Sequence, residues 1–133
     1  MKIKFTFLIS IFLVSFFAVQ AQINNPWVVP DDYKEMVNPV DADKNSISDG
    51  KTLYKQHCKL CHGKEGHGDG YQVKNLQVSP SDLTFDDLDT QKDGELFYKI
   101  KTGQGEMHSY KVVLSEKDTW NLVNYIRTLY PTK

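Results

Sequence analysis

Cysteine is scarce in this 133-residue chain: there are two, and both fall inside Cys58-Lys59-Leu60-Cys61-His62. Neither stands near the N-terminus, so no lipid anchor on a newly exposed cysteine is expected. An excess of one charge is also missing. Lys and Arg total 16 against 17 Asp and Glu, and without Lys2 and Lys4 the balance is 14 to 17, or −3. So small a charge gives no electrostatic pull toward nucleic acid or a strongly anionic membrane surface. No alternation of apolar and polar residues marks a strand, and there is no repeat. The one long apolar run is Phe5 to Val19, interrupted only by Thr6, Ser10 and Ser15. At 15 residues it is short against the roughly 20 a helix needs to cross a bilayer.

Lys2 and Lys4 before that run, and Val19-Gln20-Ala21 after it, give the pattern of an export signal cleaved after Ala21. The expected division is a signal over 1–21, an extended proline-rich arm over 22–45 and a single domain over 46–133. The mature protein is expected in the periplasm. About 112 residues then remain, enough for one ordinary domain, though a core so small gains from a staple or cofactor.

Pro26, Pro30 and Pro39 leave little room for regular helix in the arm. Trp27, Val28, Val29, Tyr33 and Met36 make it too apolar for a bare linker, so it is expected to pack back on the domain. A first helix is expected from Ser46, where Ser46 and Asp49 have capping-box spacing and Ile47, Gly50, Tyr54 and Cys58 recur at helical steps. Gly66, Gly68 and Gly70 mark a loop. A second helix is expected from Thr90 or Asp93 to a Gly103 cap, with Leu96 and Ile100 on one face. Ser115, paired with Asp118, is expected to cap a third, whose stripe includes Trp120, Leu122, Val123, Tyr125, Ile126 and Leu129; Pro131 ends it.

The chemistry lies in Cys58-Lys59-Leu60-Cys61-His62, the C-x-x-C-H pattern of c-type haem attachment. Two thiols three apart near a helix end can each form a thioether with one vinyl group of the same porphyrin. The following imidazole then reaches the iron, bonding through Nε2 while its Nδ1 proton needs a carbonyl. Two other uses compete. A thioredoxin-like dithiol would require a βαβ pattern, which is absent, and a structural zinc would want four ligands, for which His57 or His67 would have to join.

The second axial position decides between electron transfer and ligand binding. With Met1 removed, the sulfur donors are Met36 and Met107, and the nitrogen donors are His57, His67 and His108. Met107 is favoured: it follows a helix within Gly103-Gln104-Gly105-Glu106-Met107, 45 residues beyond His62, in a loop whose glycines let the backbone turn near the haem. His57 cannot readily reach the opposite face of a ring tethered at Cys58 and Cys61, and His67 sits on the proximal side.

These segments resemble the class I monohaem cytochromes c over about Ser46 to Leu129. The resemblance implies an all-α fold of three main helices and loops wrapped around one covalent haem c, with the N-terminal arm added. It matches Gly50 and Tyr54 on the first helix to the family's contact with the last helix, at Leu122 and Tyr125. It also matches Gly94-Glu95-Leu96-Phe97 to Gly103, with Met107 and Tyr110, to the helix and ligand loop. Cys58 and Cys61 would carry the thioethers, His62 and Met107 would bind iron, and Pro80 would offer the carbonyl for His62 Nδ1. One departure is His108, which stands where many members have proline directly after the ligand methionine.

With both axial positions filled the iron can only change valence, so the expected function is one-electron transfer by an exported shuttle or a respiratory haem subunit. No catalytic residue and no small-molecule substrate are expected; the partners are redox donor and acceptor proteins, and a membrane is met only through a partner complex. The alternative is a labile Met107 that yields to peroxide, nitric oxide or carbon monoxide. The side chains expected around the ring are Leu76, Leu83, Phe97, Ile100, Tyr110, Val113 and Trp120.

Overall fold

The computed structural model describes residues 26–130. Its elements are α1 (Asp31–Lys34), α2 (Lys44–His57), α3 (Lys59–His62), 3-10 turns at Tyr71–Asn75 and Asp86–Leu88, α4 (Asp93–Thr102) and α5 (Glu116–Arg127). No strand occurs among the described residues; Gln104 and Met107 form an isolated antiparallel bridge. The architecture is the expected all-α one, with α2, α4 and α5 as its main helices. The export signal, the first residues of the arm and Pro131 lie outside the described residues.

Local chemistry sets the helix ends. Ser115 and Asp118 form the expected reciprocal cap: the Asp118 N–H donates to Ser115 Oγ at 3.1 Å, and the Ser115 N–H to the Asp118 carboxylate at 3.2 Å. α4 starts at Asp93, where the Lys92 N–H donates to the Glu95 carboxylate at 2.8 Å, and Gly103 closes it. α2 starts two residues before the expected Ser46. Its cap is Asp43, whose carboxylate accepts from the Ser46 N–H at 2.7 Å. Ser46 is buried instead, its hydroxyl donating to the Asp41 carbonyl at 2.7 Å.

The most extensive helix contact is α2 against α5. Every residue from Thr119 to Ile126 is buried, and a Cβ added at Gly50 would lie 2.0 Å from the Asn121 carbonyl oxygen, so glycine is what permits the crossing. Tyr54 and Tyr125 meet there with ring centroids 5.2 Å apart. Behind it, Phe97 stacks on Trp120 at 4.2 Å.

The arm packs on this body. Tyr33 meets Tyr98 at 4.8 Å and Phe97 at 6.4 Å between ring centroids, and Val29 is buried. The buried Asn124 amide donates to the Val40 carbonyl at 3.0 Å and accepts from Asn38 Nδ2 at 2.8 Å. The arm carries little regular helix, as its prolines dictate. Asp31–Lys34 makes a single helical turn, because Pro30 precedes it at a position where no N–H is needed.

Candidate functional site

α2 ends beside a tight turn that gathers the Cys-x-x-Cys-His segment. The Cys61 and His62 N–H groups both donate to the Cys58 carbonyl, at 3.1 and 2.9 Å. Cys58 and His62 open onto a cavity of about 360 Å³, and so does Met107 from the far loop. Tyr54, Leu96, Ile100 and Ile126 wall it on the helix side, Leu83 and Leu88 on the loop side. Cys61 is half-buried and does not line the cavity, though it is electrostatically coupled to Cys58.

The thiols are free. Burial, with Cys61 adding to it, pushes the Cys58 thiol up to about 12, the reverse of a reactive dithiol, whose thiolate must be stabilised. Zinc lacks a donor set, since no group of three or more His, Cys, Asp or Glu among the described residues could hold a metal ion.

His62 Nδ1 lies 3.3 Å from the carbonyl oxygen of Ser81. A carbonyl only accepts, so in this bond Nδ1 carries the proton and Nε2 keeps its lone pair, the tautomer an iron-binding imidazole needs. Burial lowers the His62 pKa and so favours the neutral ring, against the opposing pull of that same bond. The partner expected for Nδ1 was Pro80, and the structure corrects it by one residue. The Pro80 carbonyl turns instead toward Gly68, where an added Cβ would meet its oxygen at 2.6 Å.

The loop carrying Met107 is held at three points. Gln104 and Met107 exchange backbone hydrogen bonds at 2.9 and 3.0 Å, making a tight turn. Gly103 precedes it with φ +63°, and a Cβ there would lie 2.4 Å from the Met107 carbonyl oxygen. Glu106 accepts from the Gln77 and Val78 N–H groups at 2.9 and 3.1 Å, tying this loop to the one across the cavity. Past the turn, the Tyr110 hydroxyl donates to the His57 carbonyl at 2.8 Å.

The remaining donors stand elsewhere. His57 packs against the Tyr110 ring, His67 lies beside Thr84 and Asp82, His108 is exposed, and Met36 belongs to the arm. None of the four lines the cavity. Of the side chains expected around the ring, Leu83 and Ile100 line it. Phe97 and Trp120 are buried in the core but off the cavity wall, and Leu76 and Tyr110 are half-buried off it too. Val113 is 62% exposed, because it ends the turn before α5 while its neighbour Leu114 takes the buried place.

The family model described as cytochrome C oxidase, cbb3-type, subunit III matches residues 45–126, well over half of the chain. The chain belongs to this cytochrome c family. Its cofactor is a covalently bound haem c, and its chemistry is haem-based electron transfer. No curated protein matches the chain. Among solved structures, the cytochrome is similar to a chain of the Kuenenia stuttgartiensis reducing HAO-like protein complex Kustc0457/Kustc0458, with 24% identity and a TM-score of 0.64. That match covers 83% of this chain and 53% of the other, so the cytochrome spans about half the length of that neighbour, and at this identity the likeness is one of fold. It is also similar to the KustC0563 c-type cytochrome, at 26% identity and a TM-score of 0.54, over 62% of this chain and 98% of that one.

The residues present fit the cofactor: two free thiols on one turn, a neutral imidazole with its outer nitrogen bonded, and a thioether on the wall of the same cavity. Sequence reasoning missed Ser81 and Glu106, which act through a backbone carbonyl and a loop-to-loop contact that no spacing rule reveals. It also missed Trp27 and Lys99 on the cavity wall. An aromatic residue between two prolines was the available signal for Trp27.

Proposed function

We propose that the protein is an exported carrier of single electrons, working in the periplasm as a soluble shuttle or as the haem subunit of a respiratory complex. Cys58 and Cys61 would form the two thioethers, and His62 and Met107 would be the axial ligands. The observation that carries the reading is that His62 and Met107, 45 residues apart in sequence, open onto one largely apolar cavity. When bound, the haem supplies a reversible one-electron iron couple.

The chain's own residues prepare that couple. Ser81 fixes the His62 ring by accepting its Nδ1 proton, and Glu106 with Gly103 fixes the loop that presents Met107. A thioether opposite an imidazole raises the potential relative to two imidazoles. Leu83, Leu88, Leu96 and Ile100 add to this by keeping water from the ring and so disfavouring the extra positive charge of ferric iron. Redox proteins as donor and acceptor are the partners this reading requires. A similar fold within a chain of a larger complex supports the subunit form. No helix among the described residues is long and apolar enough to cross a membrane.

Carbon monoxide tests the reading. The ferrous protein should titrate reversibly with one electron and leave carbon monoxide unbound at neutral pH; rapid uptake would show an open or labile axial position and replace electron transfer with ligand chemistry.

A further inference from the structure

The charges on the cavity wall are unequal. Asp82 and Asp87 contribute carboxylates, and among the described wall residues the one lysine or arginine is Lys99. A haem c brings propionate carboxylates of its own, which the two aspartates repel and Lys99 attracts. Lys99 is half-buried on α4, and burial draws its pKa down, with Glu95 one turn earlier pushing the other way. Its ammonium donates to the neutral Gln91 side-chain oxygen and lies 5.7 Å from the centre of the Trp27 ring. An ammonium has three donors, and the bond to Gln91 uses one. Trp27 comes from the arm, 31 residues before Cys58, and it too lines the cavity. A cation facing an aromatic ring at this distance is attracted to it and shielded from water by it.

We propose that Lys99, covered by Trp27, binds a haem propionate, so that the arm preceding the cytochrome fold completes the haem pocket and helps set the iron's potential. The inference rests on the haem reading and goes beyond it, to two residues outside the attachment motif and the ligand loop. Reduction adds a negative charge at the iron. An uncompensated propionate nearby opposes that charge, and a lysine paired with the propionate offsets the opposition, most strongly where water is excluded. Trp27 excludes it, so the pair is weakly screened by salt.

The test is potentiometric titration of the full-length holoprotein, after haem staining and absorbance per polypeptide have shown equal loading. A failure of the haem reading would appear at that first step, before any potential is read. Lys99→Met should lower the midpoint potential, Lys99→Arg should keep it near the wild-type value, and Lys117→Met, which removes an exposed lysine, should leave it in place. Trp27→Leu should make the midpoint more sensitive to added salt. The proposal is overturned if Lys99→Met leaves the midpoint unmoved, if arginine fails to restore it, if Lys117→Met shifts it equally, or if Trp27→Leu leaves the salt response as it was.

Discussion

Where α2 crosses α5, the two backbones meet at Gly50, and Tyr54 and Leu122 are wholly enclosed. Across the cavity, the chain from Gln77 to Gln91 has few enclosed side chains. Leu88 is buried there, but Phe85 stays 65% exposed and Val78 52%. The first region is a core held by side-chain packing. The second is a wall pinned by hydrogen bonds: Glu106 to Gln77 and Val78, Ser81 to His62, and Arg127 to the Leu88 and Gln91 carbonyls and to Asp93. The crossing is filled by its own side chains, whereas a wall around a cavity needs what the cavity holds, and the two share one domain. Stability of the domain is therefore tied to the cofactor.

Removing the attachment points should separate the two regions most sharply. Cys58→Ala combined with Cys61→Ala should abolish covalent haem and leave a chain without cooperative unfolding. Circular dichroism checks this, and a well-folded apo variant would show that the crossing alone suffices. Gly50→Ala attacks the crossing directly, since the new Cβ would press into the Asn121 carbonyl. A loss of about 3 kcal/mol in denaturant unfolding is expected, the upper end of overpacking costs. Gly105→Ala is its control: nothing lies within 4 Å, so only the φ of +59° resists, at about 1 kcal/mol.

Effects below that of Gly50→Ala are expected on the wall. Arg127→Ala severs bonds to Leu88, Gln91 and Asp93, and with the side chain 29% exposed the expected loss is about 2 kcal/mol in the same assay. Glu106→Ala should cost the least, under about 1 kcal/mol for an exposed acceptor. It should still loosen the Met107 loop, read as a weaker sulfur-to-iron band and faster carbon monoxide uptake, while Glu106→Gln, keeping a side-chain oxygen, should preserve most of both.

The same contrast governs what the sequence could reveal. Helical steps marked a buried face on each of α2 and α5, and the family resemblance matched Gly50 and Tyr54 to Leu122 and Tyr125 at their crossing, while the Ser115–Asp118 cap and Gly103 stop were legible from local chemistry alone. The α2 cap was misplaced because Ser46, a good capping residue, is used for a tertiary bond while Asp43 does the capping. Backbone groups carry no residue signature, so Ser81, rather than the proline beside it, could accept the His62 proton without a trace in the spacing. Val113 and Leu114 are equally apolar neighbours, and only the turn into α5 decides that Leu114 is buried.

On the proposed reading, His62 and Met107 would both bind the iron of the covalent haem. The ferric absorption spectrum of the full-length protein, compared with that of Met107→Ala, tests it most directly. A low-spin wild-type spectrum with a sulfur-to-iron charge-transfer band, lost in the variant together with a gain of carbon monoxide binding in its ferrous form, is the predicted result. A wild-type protein without the band, or a variant that retains it, would contradict the account.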